Sequence, residues 1–145
     1  MASAKKQLKQ LFEAIDRTYW GPEERALVAQ AVALAVETGD EKLEYQARMR
    51  QTASANMVGD TDTVLSSFAW CLAKHDADPR RFPRDIENGA ADLMWQFKWM
   101  GGTLQRSTAF SQAQIDAVLN DMESHYRAEG LGMSGVLTAR FEGAW

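Results

Sequence analysis

The chain has 145 residues, 46% of them apolar and 25% charged, with 16 basic side chains against 20 acidic ones for a net charge of −4. That length fits one domain able to bury a core, and the mildly acidic balance gives no overall pull onto nucleic-acid phosphates or anionic lipid. A single cysteine excludes an internal disulfide framework and a cysteine-rich zinc site. No run of about 18 apolar residues is present, so no membrane span is expected. The N-terminal lysines Lys5 and Lys6 are not followed by an apolar segment, so no signal peptide is expected and the location is read as cytoplasmic.

The first predicted helix runs over Lys5–Tyr19, where Leu8, Leu11, Phe12, Ile15 and Tyr19 recur at steps of three and four. Gly21-Pro22-Glu23-Glu24 restarts a helix: proline suits its first position and acids suit the positive end of its dipole. This second helix, ending at Gly39, is apolar nearly all round and rich in alanine, so it is expected between close neighbours. Asp40 caps a third helix reaching about Val58. Gly59-Asp60-Thr61-Asp62 ends it and caps a fourth, which carries Val64, Leu65, Phe68, Cys71 and Leu72 and stops near Asp78-Pro79. A basic loop over Arg80–Arg84 follows. A fifth helix is predicted from Asp85 to Met100, broken by Gly101-Gly102. Ser111 opens a sixth, closing at Gly130, and Ser134 caps a short seventh through Leu137, Phe141 and Trp145. Nothing alternates with β-branched enrichment, so no sheet is predicted.

The breaks repeat. Gly21, Gly59 and Gly101 are separated by 38 and 42 residues, and the closing signals Gly39 and Pro79 by 40. A period of this length is the mark of stacked helix pairs, which bury their faces only against the next pair. Within Met49–Pro79, Gly59-Asp60 falls at the turn between paired helices, Phe68 at an aromatic position of the second helix, Cys71 at a small-residue position, and Pro79 at the close. In these features the segment resembles a tetratricopeptide repeat. Val64 stands where that family prefers alanine, and Arg48, Gln51, Thr52 and Ala55 occupy the places of its first-helix signature. The Leu65–Ala73 segment, the Trp95–Trp99 helix and the run Ile115–Met122 extend a looser resemblance to divergent bacterial tetratricopeptide-like proteins over about residues 22–145. That resemblance implies protein or peptide binding and no chemistry.

No catalytic pattern accompanies the helices. His75 and His125 lie in different predicted helices, each near a C-terminus, where an imidazolium suits the dipole. His75-Asp76-Ala77-Asp78 lacks a second histidine at helical spacing and reads as a capping turn instead of a metal site. Cys71 lies on an apolar face and reads as core. Trp95 and Trp99 share one helix face beside Lys98, an arrangement suited to an interface. In a tetratricopeptide-like array the first helix of each pair lines the concave side. Gln46, Met49, Arg50, Ala53 and Asn56 of the third helix and Gln96, Lys98 and Trp99 of the fifth would then face a partner. The basic loop is flanked by Asp76, Asp78, Asp85 and Glu87, so nucleic acid is not expected to be the partner.

The sequence therefore predicts an all-α fold, a right-handed superhelical stack of antiparallel helix pairs with about seven helices. Residues 1–145 form one tetratricopeptide-like domain that a longer array could continue. The expected function is non-enzymatic: a scaffold whose groove binds a protein or peptide through Gln46, Met49, Arg50, Asn56, Trp95, Lys98 and Trp99. No metal, cofactor, nucleic acid or membrane is expected. Leu137, Phe141 and Trp145 end the chain without a polar capping repeat and are expected to mediate self-association. The rival reading is a small-molecule sensor or enzyme accessory domain with Trp95, Trp99 and Met100 around an apolar pocket.

Overall fold

Two-residue connections leave a helix little choice but to turn back along its predecessor. Among the described residues the chain uses such connections twice, both times as Gly-Asp. The computed structural model describes residues 3–84, 92–93, 96–98 and 107–130. These form α1 (Ala4–Arg17), α2 (Pro22–Thr38), α3 (Glu41–Val58), α4 (Thr61–Ala77) and α5 (Gln112–Ala128). Leu93 and residues 96–98 are also helical, and no β-strand occurs among the described residues. The protein is all-helical. The expected seventh helix, with Leu137, Phe141 and Trp145, lies outside the described residues, as does most of the expected fifth.

Gly59 ends α3 at φ 73°, in the left-handed region where a side chain is strained. Its N–H reaches the Asn56 carbonyl at 3.3 Å and the Asp60 N–H reaches Ala55 at 3.0 Å, the paired bonds of a Schellman close. Asp60 then caps α4 by accepting from the Thr63 N–H at 3.3 Å. Gly39 and Asp40 repeat this grammar between α2 and α3, with φ 69° at Gly39 and two backbone N–H groups on the Asp40 carboxylate. The sequence-predicted boundaries at these glycines coincide with the observed ones. At the end of α1 they do not. The helix stops at Arg17, Thr18 is extended, and Tyr19 stands 88% exposed off the apolar stripe assigned to it.

The core forms two clusters. Leu8, Phe12 and Ile15 of α1 meet Val28, Ala31 and Ala35 of α2 and Ala47 of α3. Tyr45, Met49 and Ala55 of α3 meet Val64, Leu65, Phe68, Cys71 and Leu72 of α4, then Phe82, Leu93, Phe97 and Ile115, Leu119, Met122 and Tyr126 of α5. Helix α3 belongs to both, so it is the middle layer. Helix α2 is only one-sided: Ala26, Ala29, Ala33 and Val36 remain exposed, although its sequence predicts burial all round. Alanine's small apolar area makes that exposure inexpensive.

Hydroxyls mark the faces of α3. Ser54 donates to the Glu24 carboxylate of α2 at 2.5 Å, and both are buried. Ser67 of α4 donates to Gln51 at 2.6 Å. Glu24 sits in the first turn of α2, where the helix dipole favours its charge. The loop after α4 folds back onto the core: Phe82 is buried, its ring 5.3 Å from that of Tyr45, and the Tyr45 hydroxyl donates to the Pro83 carbonyl at 2.6 Å. Arg84 pairs with Glu129 and Asp92, so one cation of the predicted basic loop serves an internal contact.

Two outcomes follow from this packing. Ser54→Ala strands the buried Glu24 carboxylate and should cost about 1–3 kcal/mol in urea unfolding. Burial pushes the Cys71 thiol well above its ordinary range and leaves it 0% exposed. Aromatic disulfide reagents should therefore label Cys71 only once denaturant unfolds the chain.

Candidate functional site

Of the residues expected to line a binding face, those described differ in their surroundings. Met49 is completely buried in the second core cluster and has no surface to offer. Gln96 is buried as well and donates from Nε2 to the Met49 carbonyl at 2.8 Å. Arg50 turns inward. Its guanidinium makes a bidentate contact with Asp16 of α1 at 3.1 and 3.0 Å and lies 4.1 Å above the Phe12 ring. Charge and cation–π attraction together hold α1 to α3, and the carboxylate that meets Arg50 is supplied from within. Gln46 and Asn56 are half-buried on α3, and Lys98 is exposed. Trp95 and Trp99 lie outside the described residues, as do Leu137, Phe141 and Trp145.

An open cleft lies elsewhere, between α1 and α2. It encloses about 380 Å³ and is lined by Gln7, Gln10, Leu11, Gln30 and Leu34. Gln7 and Leu11 are one turn apart on α1, as are Gln30 and Leu34 on α2, so each helix presents an amide above an apolar side chain. The amides offer both donors and acceptors, and the leucines offer a dry floor. The exposed alanine face of α2 belongs to the same helix. The sequence signal for this cleft is the helical spacing of Gln7 with Leu11 and of Gln30 with Leu34.

A second constellation joins α4 to α5. His75 and Asp76 lie in the last turn of α4, Asp121 lies at the middle of α5, and His125 follows it by one turn. Nε2 of His125 is 2.6 Å from Asp76 Oδ1 and 3.4 Å from Asp121 Oδ1. The two imidazole rings are 5.2 Å apart. Nδ1 of His75 is 2.8 Å from the Phe82 carbonyl, an acceptor that requires the N–H on Nδ1. Read separately in the sequence, the two histidines appeared unrelated. The local signal was Asp121 four residues before His125, which puts a carboxylate and an imidazole on one helix face. Asp78 has the turn role predicted for it, accepting from the Arg81 N–H at 3.2 Å.

Burial pushes the Asp121 carboxyl up to about 7, helped by the hydrogen bond and charge of neighbouring Asp76 and opposed by His125. Close carboxylates resist double ionisation. Elsewhere, hydrogen bonds from Ser107, Thr108 and Ala109 hold Asp62 below the usual carboxylate range and tie the approach to α5 onto the start of α4.

No helix among the described residues is long and apolar enough to cross a membrane. No protein-family model matches the chain, and comparison with curated proteins and with solved structures yields no match.

The Asp121 shift sets a pH dependence. The folded state holds this proton more tightly than the unfolded chain, so the contribution is complete below the ordinary value of 3.8 and is lost as pH rises to about 7. Asp121→Asn removes that loss. In the presence of a chelator, the Tm difference, variant minus wild type, should be more positive at pH 8 than at pH 5.

Proposed function

We propose that this chain is a non-enzymatic helical-repeat scaffold that binds a protein or peptide segment along α1 and α2. The α1–α2 cleft carries the reading: three glutamine amides and two leucines surround an open volume of about 380 Å³. Amides suit the donors and acceptors of a peptide main chain, and a leucine-floored trough suits one or two apolar side chains. The exposed alanines of α2 add a surface on which a partner backbone can approach closely.

The architecture is part of the same proposal. Successive packing of α1 on α2, α2 on α3 and α3 on α4 is read as the right-handed superhelical stack of antiparallel pairs that the tetratricopeptide resemblance implies. Such stacks bind through surface shape rather than through reactive groups. The buried, poorly ionised Cys71 thiol fits that reading, because a nucleophile needs the thiolate.

The test begins with peptides selected by display against the intact protein. A selected peptide is then measured by fluorescence polarisation against wild type, Leu34→Asp and the double variant Gln10→Ala/Gln30→Ala. Affinity should fall at least about tenfold, or 1.4 kcal/mol, in each variant while helical circular dichroism is retained. Unchanged affinity in both variants, or no selectable peptide, would overturn the proposal.

A further inference from the structure

The α4–α5 junction brings together one imidazole and two carboxylates from positions far apart in the chain. His125 Nε2, an Asp76 oxygen and an Asp121 oxygen all lie within 4.8 Å of one another. Two ligands of a tetrahedral zinc ion, each about 2.0–2.1 Å from the metal, are themselves about 3.4 Å apart. The His125–Asp121 separation of 3.4 Å meets that spacing, while the 2.6 Å to Asp76 must widen as the ion replaces the proton now lying between the pair.

We propose that Asp76, Asp121 and His125 form a binding site for a divalent first-row transition ion such as Zn²⁺, which clasps the end of α4 to the end of α5. Nitrogen and oxygen donors in this ratio suit such ions, whereas Ca²⁺ and Mg²⁺ favour all-oxygen shells. All three side chains are partly accessible, with exposures of 26% at His125, 34% at Asp76 and 35% at Asp121, so an ion can enter from solvent. Three protein ligands leave one tetrahedral position for water. His75 is a positioning residue: its ring packs 5.2 Å from that of His125, and its own orientation is fixed by the buried Phe82 segment through the Nδ1 contact. The site stands apart from the α1–α2 cleft, and its success or failure is independent of peptide binding.

Isothermal titration of the untagged, chelator-stripped full chain with ZnCl₂ should give one ion per chain. Asp121→Asn and His125→Ala should each weaken that binding at least tenfold, with helical circular dichroism retained. A wild-type measurement needs no variant: Zn²⁺ should shift the His125 ring signals in the NMR spectrum, and EDTA should restore them. CaCl₂ and MgCl₂ should leave those signals in place. No saturable zinc binding, equal binding by both folded variants, or unmoved His125 ring signals would overturn the site. Equivalent binding of Ca²⁺ would overturn the assignment to transition ions.

Discussion

Everything in this molecule hangs on α3, the helix that two core clusters share. Ala47 faces α1 and α2, while Tyr45, Met49 and Ala55 face α4 and the segments beyond it. A helix packed on both sides has no single apolar stripe, and its remaining positions must serve close approach or polar pairing. Ser54 and Thr52 meet that need: Ser54 pairs with Glu24, and the Thr52 hydroxyl returns to the Arg48 carbonyl at 3.0 Å. Arg50 completes the link by reaching Asp16 and Phe12 on α1. The N-terminal helices are thus joined to α3 and its cap by apolar packing around Ala47 and Leu43, a buried hydroxyl–carboxylate bond, a stacked cation and the Lys5–Asp40 ion pair.

This arrangement explains why the two proposed binding surfaces lie at the margins. The middle layer spends its polar side chains on internal partners, including Arg50 and Gln51. The outer helices place polar residues at the surface. On one side, α1 and α2 leave an amide-lined trough. On the other, the ends of α4 and α5 converge with two histidines and two aspartates. The first suits recognition of a main chain, and the second suits capture of a cation.

The two regions also differ in electrostatic character. The side chains that line the trough are uncharged, so the association proposed there would depend weakly on salt and pH. At the junction, burial and then the neighbouring Asp76 carboxylate push the Asp121 carboxyl up to about 7. A cation, whether a proton or a metal, relieves that repulsion. The stability of the α4–α5 contact is therefore tied to pH through Asp121.

The amino-acid sequence alone determined the helical class and most element boundaries, because these rest on short-range chemistry. Gly39 and Gly59 adopt the left-handed conformation that stops a helix, and Ser3, Asp40, Asp60 and Ser111 supply side-chain oxygens to the first turns. Burial of Leu8, Phe12, Ile15, Phe68 and Cys71 was equally legible in their spacing. Which residues face a partner was not. Met49 was buried and Arg50 engaged because α3 gained a neighbour on each side, and spacing within one helix does not reveal how many sides are covered. The meeting of Asp76 with His125, 49 residues apart, depended on how α5 returns to α4. Local propensity sets each helix, but only packing chooses which helix ends meet.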